Sequence, residues 1–202
     1  MEDLSRQSKG AIAEHYVIMR LLARGYTAAN INFTVNNCKS VDILCSNPKL
    51  NKIIPIQVKS SFNKSKSFNI GLQHEDFCVN GAFDEEKALK SLEGKIVCPW
   101  IFVDVNTSFD IPTFRTFILT KKQVIKLAFE SEKWYLNDVF HANPLNPKGN
   151  VALVLGWIEG FDTTARDGVH WRHHFSNPYP NTQMKFEEAW DNLWLDEDDA
   201  LK

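Results

Sequence analysis

Four side chains place charge or amide groups where the surrounding pattern is apolar. Glu14 lies in Gly10-Ala11-Ile12-Ala13-Glu14. At 100° per residue it shares a helical face with Gly10, Ala11, Val17, Ile18 and Leu21, at the centre of an apolar stripe. Asp42 stands between Val41 and Ile43 in a short strand-like run. Gln57 and Lys59 are two residues apart on the next strand-like run, so they project to one side of it. Burying one unpaired charge is costly. Exceptions of this kind on a helix and two successive strands imply that the charges compensate one another around a divalent cation.

The elements that must position these residues follow from periodicity and punctuation. A helix is expected over residues 4–24, with Gly25 as its stop. Strands are expected over residues 32–35, 41–45 and 52–60. In the third, Ile54, Ile56 and Val58 face one way and Pro55, Gln57 and Lys59 the other, with Pro55 implying an edge or a bulge. A short helix over 85–92 and an antiparallel pair over 100–105 and 114–119 come next. Thr120-Lys121-Lys122-Gln123 reads as a capping box opening a helix to residue 130. Residues 151–158 read as a strand, although the same apolar run fits a buried helix. Thr182 caps an expected last helix with Phe186, Ala189, Trp190, Leu193 and Trp194 on one face, packed on this chain or on a second copy.

The segments Gly10–Glu14, Val41-Asp42-Ile43 and Gln57-Val58-Lys59 are similar, in order and spacing, to the PD-(D/E)XK nuclease superfamily. Ile56-Gln57-Val58-Lys59-Ser60-Ser61 resembles the Q-x-K variant of Mrr-like restriction enzymes and related resolvase-like proteins. The resemblance spans residues 8–62. It implies a restriction-endonuclease-like α/β fold, a mixed central sheet flanked by helices. It also implies hydrolysis of phosphodiester bonds, in DNA ahead of RNA, with Mg²⁺ as cofactor and Mn²⁺ as substitute. Mg²⁺ prefers oxygen ligands and keeps several waters. By the resemblance Asp42 is its main ligand, joined by the Gln57 side-chain carbonyl, the Val58 backbone carbonyl and Glu14. Lys59 orients the attacking water and stabilises charge on the scissile phosphate. Two departures stand out: no proline precedes Asp42, and Gln57 replaces the usual acid, removing one negative ligand.

Beyond that core, Ser60 and Ser61 offer hydroxyls to phosphate, and Lys64 and Lys66 offer charge to a nucleic-acid backbone, against the blander reading of a solvated loop. His170-Trp171-Arg172-His173-His174 has no second Cys or His pair at zinc spacing nearby and reads as a polar strand or loop with Trp171 buried. The four cysteines, Cys38, Cys45, Cys78 and Cys98, also lack zinc spacing and read as reduced thiols. No phosphate-binding glycine loop and no G-x-S-x-G elbow occurs.

Length and composition bound the rest. The 202 residues suit one domain over 1–160 and a C-terminal extension over 161–202 with an amphipathic helix and an acidic tail. Apolar residues at 44% and charged residues at 24% exclude collagen, coiled coil and wholesale disorder. No run of 18 apolar residues occurs, and Met1 to Gly10 has no apolar signal core, so no membrane is expected and the cytoplasm is the expected compartment. Residues 187–202 hold seven acids and one base, so a tail of −6 follows a body of +4. A nucleic-acid partner is permitted by that balance. Cutting two strands calls for two sites, hence a homodimer. The rival readings are a nuclease fold that binds without turnover, and a protein-binding module acting through its aromatic, acidic C-terminus.

Overall fold

The computed structural model describes residues 4–31, 40–62, 67–107, 111–139, 148–155 and 186–195. The chain opens with α1 (Arg6–Leu22), capped by the Ser5 hydroxyl, which accepts from the Ser8 N–H at 3.1 Å. Gly25 ends the turn after it in a left-handed conformation, φ +78°, which a side chain would resist. There follow β1 (Thr27–Asn30), β2 (Ile43–Asn47), β3 (Lys52–Ser61) and β4 (Ser67–Gln73). A 3-10 turn, His74–Phe77, leads to the two-residue strands β5 (Cys78–Val79) and β6 (Ala82–Phe83). Then come α2 (Glu85–Lys95), β7 (Trp100–Asn106), β8 (Thr113–Leu119) and α3 (Lys121–Trp134), which runs into a π-helical turn, Tyr135–Val139. The last strand is β9 (Asn150–Val154), and a 3-10 turn, Trp190–Trp194, closes the described chain.

The central sheet has the order β1-β2-β3-β7-β8. Only β3 and β7 run parallel; the other neighbours are antiparallel, so the sheet is mixed, as expected. Strand alternation separates two cores. Ile43, Cys45, Ile56, Val58, Ile101, Val103 and Ile118 bury against Ala13, Val17 and Leu21 of α1. Trp100, Phe102, Phe117 and Leu119 bury on the other face against α2, α3 and the β4–β9 ribbon, through Leu92, Val124, Phe68 and Leu153. The molecule is therefore an α/β structure with helices on both faces of its sheet.

Several expectations change in detail. The buried line of α1 is Ala13-Val17-Leu21, so Glu14 stands half-buried at the margin of the stripe and not at its centre. The second strand begins at Ile43, which leaves Asp42 on its lead-in. β1 is an additional strand; the one expected over 32–35 falls outside the described residues. β3 is interior, yet its pairing with β7 starts only at Gln57. Pro55 thus sits where β3 has a strand on one side only, a place proline tolerates. The capping box at Thr120 forms, with Gln123 N–H to Thr120 Oγ1 at 3.2 Å and Thr120 N–H to Gln123 Oε1 at 2.9 Å.

The largest correction concerns residues 186–195, expected as an α-helix. Glu187 forms a β-bridge with Phe117 on the outer edge of β8, and Glu188 has φ +54°, which no α-helix accommodates. Only Trp190–Trp194 is helical, as a 3-10 turn. Phe186 enters the core beneath α2 and α3, whereas Trp190 and Leu193 enter the one beneath α1. The acids assigned to a solvated tail also include two that pair: Arg115 Nε and Nη2 both donate to Glu187 at 2.8 Å, and Arg20 donates to Glu188. Residues 161–185 and 196–202, with the His170–His174 cluster, lie outside the described residues.

Candidate functional site

The site forms where β2 and β3 part. The β2–β3 register ends at Ile43 and Ile56. One residue beyond, the Asp42 backbone is still tied down: its N–H donates to Ile56 O at 2.9 Å and its carbonyl accepts from Ile31 N–H at 2.8 Å. With no further β2 backbone to meet, the Val58 N–H donates at 2.8 Å to Asp42 Oδ2. The carboxylate thus takes over a ladder position, a reason to find an acid at the end of a short strand.

The same Oδ2 accepts from the Gln57 amide Nε2, which also lies 3.4 Å from the Val58 carbonyl oxygen. Asp42 and Gln57 are both buried, at 8% and 5% exposure, so the amide supplies the donor that a buried carboxylate requires. Asp42, Gln57 and Val58 are therefore in direct contact.

Lys59, two residues on, lies over the Trp100 ring with Nζ 5.3 Å from its centroid. Trp100 is the β7 partner of Gln57, so strand register sets the ammonium beside the Asp42–Gln57 pair. Burial pushes the Lys59 amine below its ordinary value; Asp42 and Glu14 oppose that fall and Lys95 adds to it. Glu14, reaching in from α1, accepts a hydrogen bond from the Asn30 amide at the end of β1. Two carboxylates on different elements thus act on one partly desolvated lysine.

The remaining expectations divide. Alternation turns Ser61 to the Gln57–Lys59 side of β3 and Ser60 to the other. Ser61 is buried opposite Asp104 on β7, and Ser60 is half-buried. Lys64 and Lys66 lie outside the described residues. Among the described residues no group of three or more His, Cys, Asp or Glu is placed to hold a metal. The oxygens at hand are those of two acids, one amide and one backbone carbonyl. That donor set is hard, with no sulfur or imidazole, and fits Mg²⁺ or Mn²⁺ better than zinc. Burial pushes the Cys45 thiol up to about 11, consistent with an inert core cysteine.

Sequence reasoning missed Asn30, Trp100 and Lys95. Each lies outside the three matching segments, and only strand pairing or helix packing brings it in. Trp100 carried the one available signal, an aromatic residue opening an apolar strand.

No family model matches the sequence, and no curated protein matches it. Among solved structures, the bacterial homing endonuclease I-Ssp6803I is similar at a TM-score of 0.40 and 17% identity, over 92% of this chain and 88% of that chain. A likeness of that degree carries no argument about what this chain acts on. Among the described residues, no helix is long and apolar enough to cross a membrane.

Proposed function

We propose that this chain is a metal-dependent endonuclease that hydrolyses phosphodiester bonds, with DNA ahead of RNA as substrate. One observation carries the reading: Asp42, Gln57 and Val58 touch, and Lys59 projects beside them under the influence of Asp42 and Glu14. Asp42, the Gln57 carbonyl, the Val58 carbonyl and Glu14 would hold Mg²⁺ or Mn²⁺. Such an ion, when bound, supplies Lewis acidity and lowers the pKa of water. To serve as a ligand the Gln57 amide turns over, since its nitrogen now faces Asp42.

Lys59 does the rest of the work assigned to protein groups. Its ammonium orients the attacking water and stabilises charge that develops on the phosphate oxygens. Half-burial strengthens that interaction by excluding solvent. Ser60, Lys64 and Lys66 would hold the neighbouring backbone, Ser61 being buried, and a homodimer would bring a second site for the second strand of a duplex.

A second reading has its own observation. Gln57 already satisfies Asp42 without any cation, which suits a fold that binds nucleic acid and no longer turns it over. A calorimetric Mn²⁺ titration separates the two. The metal-dependent reading expects saturable binding that Asp42→Asn weakens at least about tenfold, or about 1.4 kcal/mol. Equal heats for wild type and Asp42→Asn would leave the binding module as the better account.

A further inference from the structure

The outer half of the sheet ends in a projection that the candidate site leaves unused. β3 gains β7 as a neighbour only at Gln57, so residues 52–56 pair with β2 alone. Pairing of β1 ends at Thr27 and Ser46, and beyond it the β2–β3 turn continues as a two-stranded element. That turn has a fixed build. The Lys49 N–H donates to Asn47 Oδ1 at 3.0 Å and the Leu50 N–H to Asn47 O at 3.2 Å. Asn51 closes it at φ +49°, a conformation that asparagine tolerates. Residues 48–53 are all exposed, Lys49 and Lys52 among them.

Apolar side chains are exposed beside the lysines: Ile53 at 71%, Leu50 at 50% and Leu44 at 44%. Register gathers two of them into a patch. Leu44 lies opposite Pro55 and Ile53 opposite Ser46, all on one side of the sheet. Alternation carries that side on through Gln57 to Lys59. Exposed apolar groups gathered beside polar ones mark a surface that a partner covers. Charge decides the occupant. Between Gly25 and His74 the sequence holds six lysines and one acid, Asp42. A second copy meeting this face with its own would set lysine against lysine, whereas a polyanion answers them.

We propose that the β2–β3 turn and the Leu44–Ile53 face form a duplex-docking arm, the turn entering the major groove and Lys49 and Lys52 meeting phosphates beside it. A major groove admits a two-stranded β-ribbon, and the Leu50 side chain suits a thymine methyl there. At about 3.3 Å per residue, Lys52 lies about 23 Å along β3 from Lys59, so contacts of the arm fall within about seven base pairs of the cut. The inference rests on the nucleic-acid reading above and adds where the duplex lies.

The test compares wild type with three double variants: Lys49→Ala with Lys52→Ala, Leu50→Ser with Ile53→Thr, and Lys90→Ala with Lys126→Ala. The last pair, exposed lysines of α2 and α3, controls for loss of charge alone. Duplex binding is measured over a salt series in EDTA, cleavage in Mg²⁺, protection by hydroxyl-radical footprinting, and oligomeric state by sedimentation. Removing Lys49 and Lys52 should lower the slope of log affinity against log salt by about 1.8 and raise KM about tenfold, with kcat little changed. The Leu50 and Ile53 changes should weaken binding about tenfold with the slope intact, and protection should be lost within about seven base pairs of the cut. Methylation of guanine N7 in that span should weaken wild-type binding, because N7 faces the major groove. Equal affinity for the methylated duplex would overturn the placement of the turn. Arm variants that match the control in slope, KM and footprint overturn the inference, and the nuclease reading stands if wild type still cuts. Arm variants that bind as wild type does but turn a dimer into a monomer overturn it too, and make the face an interface between copies. Wild type that binds without cutting, with the slope still falling in the lysine variant, keeps the arm and removes the catalytic reading. Wild type that neither binds nor cuts overturns both.

Discussion

At the scale of single residues, the Asp42–Gln57 contact decides most. An acid at position 57 would place two carboxylates at hydrogen-bond distance in a buried site, and one would retain its proton. Gln57→Glu is therefore expected to lower stability in EDTA at neutral pH by about 2 kcal/mol, the cost of holding that carboxyl protonated about one to two pH units above its ordinary value. Mg²⁺ should recover most of that loss. Thermal melting with and without the ion checks this, and a variant insensitive to Mg²⁺ would remove Asp42–Gln57 as the cation site. Lys59→Ala, with the fold intact, should cut turnover about 10²- to 10³-fold, the usual consequence of removing one donor aimed at developing charge. Residue types carried much of this into view early. Asp42, Gln57 and Lys59 were legible because polar groups inside apolar runs are rare and their order matched a known pattern. Lys95 was not, because one lysine near the end of a polar helix looks like any other until folding brings it against Gly71 of β4.

At the scale of elements, legibility followed the strength of the local signal. The Thr120 cap, the antiparallel β7–β8 pair and β3 were readable because hydroxyl capping and strict alternation act within a few residues. Thr120→Ala should cost about 1 kcal/mol of stability through that cap, as measured by urea unfolding. β1 escaped notice because Thr-Ala-Ala-Asn has no alternation and becomes a strand only by pairing with β2. Residues 186–195 were misread because apolar side chains three and four apart fit a helix, while the edge of β8 offered a better match. The Glu188 N–H donates to Thr116 O at 2.9 Å, and the Glu188 side chain accepts from Thr116, Trp190 and Arg20. Burial would raise the Glu188 pKa, but those partners outweigh it and hold the carboxyl below its ordinary value of 4.5. A depressed carboxylate stabilises the fold above that value, and the stabilisation is lost as pH falls through the lowered one. Acid unfolding of Glu188→Gln should therefore depend less steeply on pH below 4.5 than that of wild type. Identical acid limbs would mean that the pairing contributes nothing to the fold.

At the scale of the whole molecule, the sheet joins two cores to one site, and the C-terminal segment ties the cores together. Trp190 is buried beneath Arg24, whose guanidinium carbon lies 4.1 Å from the ring centroid, while Phe186 anchors the opposite core. Trp190→Ala should cost about 3–5 kcal/mol, as large-to-small changes in cores do. A segment that merely recruited a partner would show no such loss. The order of helix and strands around the site, β1 apart, followed from periodicity, and the α/β class from the resemblance that residues 8–62 carry. The reversal at residues 186–188 did not, since it depends on an edge 70 residues away in sequence.

The central claim is turnover, and one measurement meets it directly. Linear duplex, supercoiled plasmid, single-stranded DNA, branched DNA and RNA would be incubated with wild type and Lys59→Ala, in Mg²⁺, Mn²⁺ or EDTA. The account predicts cleavage of at least one DNA substrate by wild type with either ion, none in EDTA, and little or none by Lys59→Ala. Equal cleavage in EDTA, or by the variant, would contradict it; so would intact substrates throughout.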